Sequence, residues 1–256
     1  MNIIGIIPAR MDSSRFPGKP MKQILGMPMI EHCYRRLKLC DSINDCYVAT
    51  CDEIIYEHIK KIGGKVVWTS KSHNRATTRT AEAIEKIRAK LKSTIDIVVM
   101  AQGDEPLLQP KEISIALNKF EDSNINIINI ATKPHSLNAF LDKNNVKVVI
   151  DKKSNALYFS REPIPSPWKG WCKEYSYIQT GIIAFRNNSL EVFNSKLESP
   201  YEIIESIDMN RIIEDGEKIY MHVTDFETIG VDTHEDLIFA EELLKLDTVL
   251  IEYLSI

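Results

Sequence analysis

An α/β protein, with a central and mostly parallel sheet joined to a smaller mixed layer, is the fold class that this sequence predicts. Three observations carry that expectation. Ile3, Ile4, Ile6 and Ile7 are β-branched and near-contiguous rather than alternating, and the predominantly apolar stretch Ile95 to Met100 reads the same way; strands covered on both faces look like this. Amphipathic stretches separate such runs, and strands alternating with helices at this spacing argue for right-handed βαβ units. From Ile125 onward the pattern changes to strand-like pieces interrupted by a loop rich in Pro and Trp, Pro163 to Trp171, which points to the smaller mixed layer.

Taken in order, Ile3 to Ile7 is a strand that stops at Pro8 and delivers a basic loop. Pro28 to Leu39 carries Met29, Ile30, Cys33 and Leu37 with charges between them, a helix with proline at its start. Cys46 to Ala49 is a short strand, and Thr50-Cys51-Asp52-Glu53 caps a helix that runs toward Ile62. Gly63-Gly64 ends that helix, and Lys65 to Thr69 is the next strand. Thr78 to Lys92 is helical, with Ala81, Ile84, Ile87 and Leu91 on one face. Strand-like pieces follow at Ile125 to Ala131, Val146 to Ile150, Tyr177 to Phe185 and Ile219 to Val223, and a last helix extends to about Lys245. Trp168 and Trp171 read as packing or lid residues.

Composition narrows the function classes. With 256 residues, 44% hydrophobic and 27% charged, the chain is an ordinary globular sequence able to bury a large core. A net charge of −4 lacks the basic footprint of a nucleic-acid binder. No apolar run approaches the roughly 20 residues of a membrane span, and no basic segment precedes an apolar one at the amino terminus, so no signal peptide is expected. The five cysteines, Cys33, Cys40, Cys46, Cys51 and Cys172, form no C-x-x-C. Four fall in segments that read as helix or strand, which favours reduced thiols in a cytoplasmic protein over a disulfide framework or zinc site.

Two loops carry the chemistry. The first holds Arg10, Arg15 and Lys19 within ten residues, at the carboxyl end of a strand where open α/β sheets bind ligands. Arginine forks onto phosphate oxygens and lysine acts as a mobile point charge, so the trio suits a polyphosphate. Neither G-x-x-x-x-G-K-[ST] nor G-x-G-x-x-G follows the strand. The second loop, Ala101-Gln102-Gly103-Asp104-Glu105-Pro106, offers an acid at another strand end, where Mg²⁺ takes one or two carboxylates plus substrate phosphates. Asp104 or Glu105 serves equally well, on local grounds, as a cap for the helix starting near Pro110. Asp232 carries the same ambiguity, since with Thr233 it precedes the last helix.

Ile7-Pro8-Ala9-Arg10 with Ser13-Ser14-Arg15-Phe16-Pro17-Gly18-Lys19-Pro20 resembles the opening signature of the sugar nucleotidyltransferases. More narrowly, it resembles the cytidylyltransferases that activate 3-deoxy-manno-octulosonate (Kdo), the CMP-Kdo synthetases. Gln102-Gly103-Asp104-Glu105-Pro106 is similar to a motif of that family whose Asp ligates Mg²⁺. Tyr158-Phe159-Ser160-Arg161-Glu162-Pro163-Ile164-Pro165 resembles a third, whose arginine helps bind the acidic sugar. Gly216-Glu217-Lys218-Ile219 and Gly230-Val231-Asp232-Thr233-His234-Glu235-Asp236-Leu237 extend the likeness, with Asp232 in the place of a second metal-ligating aspartate. These motifs keep family order from residue 7 to residue 237.

The resemblance implies a Rossmann-like nucleotide-diphospho-sugar transferase fold in one domain over 1–256. Its nucleotide-binding part would be about 1–122, its sugar-binding and dimerisation part about 123–225, and a segment with the metal aspartate and last helix about 226–256. It implies CTP and an acidic keto sugar as substrates, a homodimer, and Mg²⁺ on Asp104 and Asp232. Arg10, Lys19, Asp104 and Asp232 become the catalytic residues. The nucleotide falls to Pro8, Ala9, Arg10, Ser13, Arg15, Lys19, His73, Thr77, Arg79, Gln102 and Asp104, and the sugar to Arg161, Gln179, Glu205 and Asp208.

The sequence also departs from that family. Its His-x-Ser-Gly-Thr-Glu/Asp-Arg is His73-Asn74-Arg75-Ala76-Thr77-Thr78-Arg79 here; its His before Leu-Gly-Ile-Tyr is Gln179; its Glu-Gln-Leu-Arg is Asp208-Met209-Asn210-Arg211. The last two segments line the sugar side in the family, so a shifted acceptor such as an amino-Kdo or nonulosonate-type acid is an alternative. A non-catalytic nucleotide or sugar-acid sensor is the alternative from another class. His32, His73 and His222 read as surface or packing residues rather than bases.

Overall fold

The computed structural model describes residues 1–13, 15–91 and 93–254. In chain order the first half comprises β1 (Ile3–Ala9), β2 (Gln23–Ile24), β3 (Met27–Pro28), α1 (Met29–Lys38), β4 (Asp45–Thr50), α2 (Glu53–Lys61), β5 (Val66–Trp68), α3 (Ala76–Arg88), β6 (Ile97–Ala101) and α4 (Pro110–Leu117). The second half comprises β7 (Ile127–Thr132), α5 (Leu137–Leu141), β8 (Lys147–Ile150), β9 (Ala156–Ser160), β10 (Tyr177–Arg186), α6 (Asn187–Ser195), α7 (Pro200–Glu205), α8 (Met209–Glu214), β11 (Tyr220–Thr224), α9 (His234–Leu246) and α10 (Thr248–Leu254).

The main sheet runs β11-β7-β10-β6-β1-β4-β5. Its first-half strands are all parallel, with β1 between β4 and β6 and β5 outside β4. β10 then enters antiparallel between β6 and β7, which is what makes the sheet mixed. The amino end of β10 also pairs with β8, and β8 with β9, so an antiparallel branch leaves the sheet at Tyr177 and Ile178. This branch is the smaller layer.

The near-contiguous isoleucines of β1 have the reason inferred for them. Ile3 and Ile7 pack on one face with α1, α2 and α4, while Ile4 and Ile6 pack on the other with α3, α6 and α8. A third cluster joins α9 and α10 to Ile24, Met29, Leu107 and Val231. No helix of the described residues is long and apolar enough to cross a membrane.

Local readings needed correction where tertiary contacts compete for a side chain. Asp52 stands at the start of α2 but does not cap it; its carboxylate accepts the Met11 amide at 2.8 Å and so tethers the basic loop. α3 begins two residues before Thr78, and its buried stripe is Thr77, Thr80, Ala83, Ile84 and Ile87, with Ala81 only half-buried; Lys92, its expected end, lies outside the described residues. Residues 156–160, read only as a motif, form β9. Cys40 and Cys51 lie just past α1 and β4 rather than within them, yet both are buried and reduced with Cys33 and Cys46, while Cys172 is exposed. Trp171 stacks on Phe140 and donates to Ser176 Oγ at 3.0 Å, whereas Trp168 is 89% exposed.

Candidate active site

A cleft of about 930 Å³ opens above the carboxyl ends of β1 and β6. Segments from all parts of the chain line it, from Pro8 to Asp236. Its floor is built from the two loops singled out above. After β1 the chain closes on itself through Gly18 N to Met11 O at 3.2 Å, and Gly18 takes a left-handed φ of 72° that few side chains tolerate. The turn that follows, Lys19–Met21, aims Lys19 back over the sheet. Ser14 lies outside the described residues.

Lys19 is the centre of the site. Its Nζ lies 2.6 Å from Asp104 Oδ2 and 2.9 Å from Asp232 Oδ1, and Arg15 Nη1 lies 2.7 Å from Asp232 Oδ2. Residues separated by more than two hundred positions thus share one cationic point, with the three side chains of the Lys19 group only 12–21% exposed. Burial pulls the Lys19 ammonium down, but the fields and hydrogen bonds of the two carboxylates outweigh it and hold its pKa above the ordinary value. Both capping alternatives fail. α4 starts at Pro110 with Gln109 before it, and α9 is capped by Thr233, whose hydroxyl accepts the Asp236 amide at 3.1 Å while Asp236 accepts Thr233 N. Asp104 and Asp232 are left free to face the cleft.

Glu105 turns inward. Its Oε1 accepts Gly181 N at 2.6 Å, and burial together with the neighbouring Asp104 pushes its pKa up to about 7. Gly181 in turn has no room for a side chain, because a Cβ would stand 2.8 Å from Gln102 Cβ. Gly181→Ala should therefore displace Gln102 or strain β10, costing about 1–3 kcal/mol. A thermal midpoint equal to that of the unmodified protein would contradict this.

The other expected site residues fall into two groups. Pro8, Ala9, Arg10, Ser13, Arg15, His73, Arg79, Gln102, Arg161, Gln179 and Asp208 line the cleft. Several are held from behind: Arg10 and Arg79 both donate to the His73 carbonyl, at 3.4 and 3.3 Å, and the His73 ring is tied to Glu82. Thr77 and Glu205 do not line it. Thr77 is buried and donates its hydroxyl to Asp208 Oδ2 at 2.7 Å. Glu205 accepts Arg161 N at 2.9 Å and Ser160 Oγ at 2.6 Å, so it positions Arg161. Both therefore stand behind the cleft wall, each bonded to a residue that lines it. Of Asp208 to Arg211, only Asp208 and Met209 reach the wall; Asn210 bonds the Phe159 backbone and Arg211 pairs with Glu202.

Sequence reasoning missed Arg75, Lys133, Asn144 and Asn145, which also line the cleft. Arg75 reaches Asp208 at 3.3 Å and Glu198 at 3.2 Å, taking a place where the family pattern has Ser. Asn144 accepts from Arg15 at 2.9 Å, and the polar run 142–145 ahead of β8 was the available signal. Lys147, buried at the start of β8, donates to the carbonyls of Asp142 and Asn145, each at 2.7 Å, and to that of Arg161. It joins the 142–145 loop to the end of β9, and Lys147→Met would take the Lys147 donor from three carbonyls.

A mostly parallel sheet carrying a basic loop after β1, with Asp104 after β6 and Asp232 ahead of α9 converging on Lys19, is the arrangement of a nucleotidyltransferase. Comparison narrows the class. A family model described as cytidylyltransferase matches residues 4–219. The 3-deoxy-manno-octulosonate cytidylyltransferase of Bacteroides thetaiotaomicron is 40% identical over 254 residues, covering 96% of this chain and 99% of the relative. The protein of the same description from Geobacter metallireducens is 38% identical over 248 residues, covering 93% and 95%. A solved CMP:2-keto-3-deoxy-manno-octonic acid synthetase complexed with CTP superposes with a TM-score of 0.84 at 31% identity, covering 96% of this chain and 99% of that one. The chain belongs to the cytidylyltransferase family.

Proposed function

We propose that this enzyme transfers CMP from CTP to Kdo or a close acidic keto sugar, releasing pyrophosphate, in the synthesis of a bacterial surface polysaccharide. The observation that carries this reading is the Lys19 ammonium held between Asp104 and Asp232 beneath a polar cleft. The anomeric hydroxyl attacks the α-phosphorus of CTP, forming a new oxygen–phosphorus bond as the bond to the β-phosphate breaks. Such transfers depend on positioning and on neutralising charge. Lys19, Arg10 and Arg15 serve the phosphates, and Arg161, braced by Glu205, serves the sugar carboxylate. His32, bonded to Tyr253 and Ile24, and His222, bonded to Glu112, lie outside the cleft, whereas His73, tied to Glu82, and His135 line it.

The donor set fits Mg²⁺. Two carboxylates converge on one point already taken by a cation, and all the donors are hard oxygens. Mg²⁺ commonly takes one or two carboxylates and completes its shell with phosphates and water. Asp104 and Asp232 would hold it, and it would supply charge neutralisation at the phosphates.

Magnesium-dependent release of pyrophosphate from CTP, measured across a panel of keto-sugar acids, tests the proposal. Tight CTP binding without release on any acid would favour the sensor reading. Within the same assay Lys19→Ala should lower turnover by about a hundredfold. Lys65→Ala and Lys119→Ala should change it little, since Lys65 pairs with Asp45 and Lys119 lies over the Tyr220 ring. Equal small effects at all three positions would remove the role assigned to the loop.

The same reading makes the chain a cytoplasmic homodimer, supported by its buried reduced thiols and by exposed Leu157, Tyr201, Ile203 and Ile204 near the β9 edge. Light scattering that returned one 29.3 kDa chain would count against the dimer. The three-part division at about 122 and 225 is retained as a proposal, each part contributing to the cleft.

A further inference from the structure

β10 is irregular where it passes the cleft. Its register with β7 shifts between Gln179 and Ile183, and the fully buried side chain of Asn129 fills the gap. Asn129 Nδ2 lies 3.1 Å from Ile130 O, 3.2 Å from Thr180 O and 2.9 Å from Ile182 O. Carbonyl oxygens only accept, so the atom that faces three of them is the nitrogen. Asn129 Oδ1 is thereby fixed as an acceptor pointing the other way. Gln179 meets it at 2.7 Å and must present its Nε2. One buried asparagine therefore sets the orientation of a wall residue of the cleft. Gln179 Oε1 is left accessible, without a donor among the described residues.

From this geometry we infer that Gln179 is a specificity residue that presents a fixed acceptor, Oε1, and so selects a sugar acid carrying a hydrogen-bond donor, a hydroxyl or a protonated amine, at the carbon facing it. The inference rests on reading the cleft as a sugar-acid site and deepens that reading. A histidine here could reverse its roles by changing tautomer. The Gln179–Asn129 pair cannot, because reversing it would turn Asn129 Oδ1 onto three carbonyls. An ether oxygen or a methylene at the facing carbon leaves Oε1 unpaired, and sites built for a substrate hydroxyl reject analogues that lack it.

The test uses the intact enzyme with CTP and Mg²⁺, pyrophosphate release as readout, and Kdo together with its 4-, 5-, 7- and 8-deoxy and corresponding amino analogues. In the unmodified protein one deoxy analogue should fall about ten- to a hundredfold in kcat/KM. The amino analogue at that same carbon should stay within about threefold of the hydroxyl parent. In Gln179→Met the deoxy penalty at that carbon should vanish while the other ratios and the CTP KM hold. Turnover with an even loss across the panel in Gln179→Met, or rejection of the amino analogue alone, would overturn this inference and leave the cytidylyltransferase reading standing. Failure of the unmodified protein to use any member would overturn both.

Discussion

Asp104→Asn and Asp232→Asn should each lower kcat by on the order of hundreds-fold or more, because each takes a charge from the point where a cation must offset the phosphates in the transition state. The geometry separates this from a loss of folding. Asp232 caps no helix, since Thr233 and Asp236 do that work, and its partners are the side chains of Lys19 and Arg15. Arg15 is half-exposed and Lys19 keeps Asp104 as a second carboxylate, so the change strands no buried charge. The thermal midpoint of Asp232→Asn should therefore stay within a few degrees of the unmodified protein. Near-normal turnover with a melting point several degrees lower would reverse the assignment and make the residue structural.

Glu202→Ala should be the most destabilising single change behind the cleft wall. Arg211 forks onto Glu202 at 2.6 and 2.7 Å, with Glu202 fully buried and Arg211 nearly so. Arg211 also donates to the carbonyls of Phe193 and Lys196, at 2.9 and 3.0 Å. Removing one partner of a buried pair strands the other charge, at a cost of about 3–5 kcal/mol. For a chain of this size that is a fall of roughly 6–20 °C in the thermal midpoint. Glu202 also closes the capping box of α7 with Ser199, and α7 leads into Ser206 and Asp208 on the cleft wall. Activity per folded molecule should suffer less than stability. A shift below about 2 °C would mean that solvent reaches the pair.

Arg211 also illustrates where motif reading stops. It sits in a segment assigned to the sugar side, yet its guanidinium is spent on Glu202 and two carbonyls behind the wall. Thr77 is a second case, matched to a nucleotide motif and turned instead toward Asp208. Spacing places a residue in a loop or helix but does not say which neighbour will take its hydrogen bonds. That depends on elements far away in the chain.

The sequence by itself determined most strands of the main sheet, the burial of β1 and β6 on both faces, the basic loop after β1, the acidic loop after β6 and the family to which the chain belongs. Each of these is written in local pattern: contiguous β-branched residues, clustered cations, motifs in fixed order. Only the tertiary structure decided that Lys19 stands between Asp104 and Asp232, that Asp232 is not a cap, and that Asn129 orients Gln179. These are contacts across 85, 213 and 50 positions. They arise because β10 threads antiparallel between β6 and β7 and because the segment before α9 returns to the opening loop. Local propensity has no term for either event, since both follow from which surfaces remain to be buried once the parallel half of the sheet has formed.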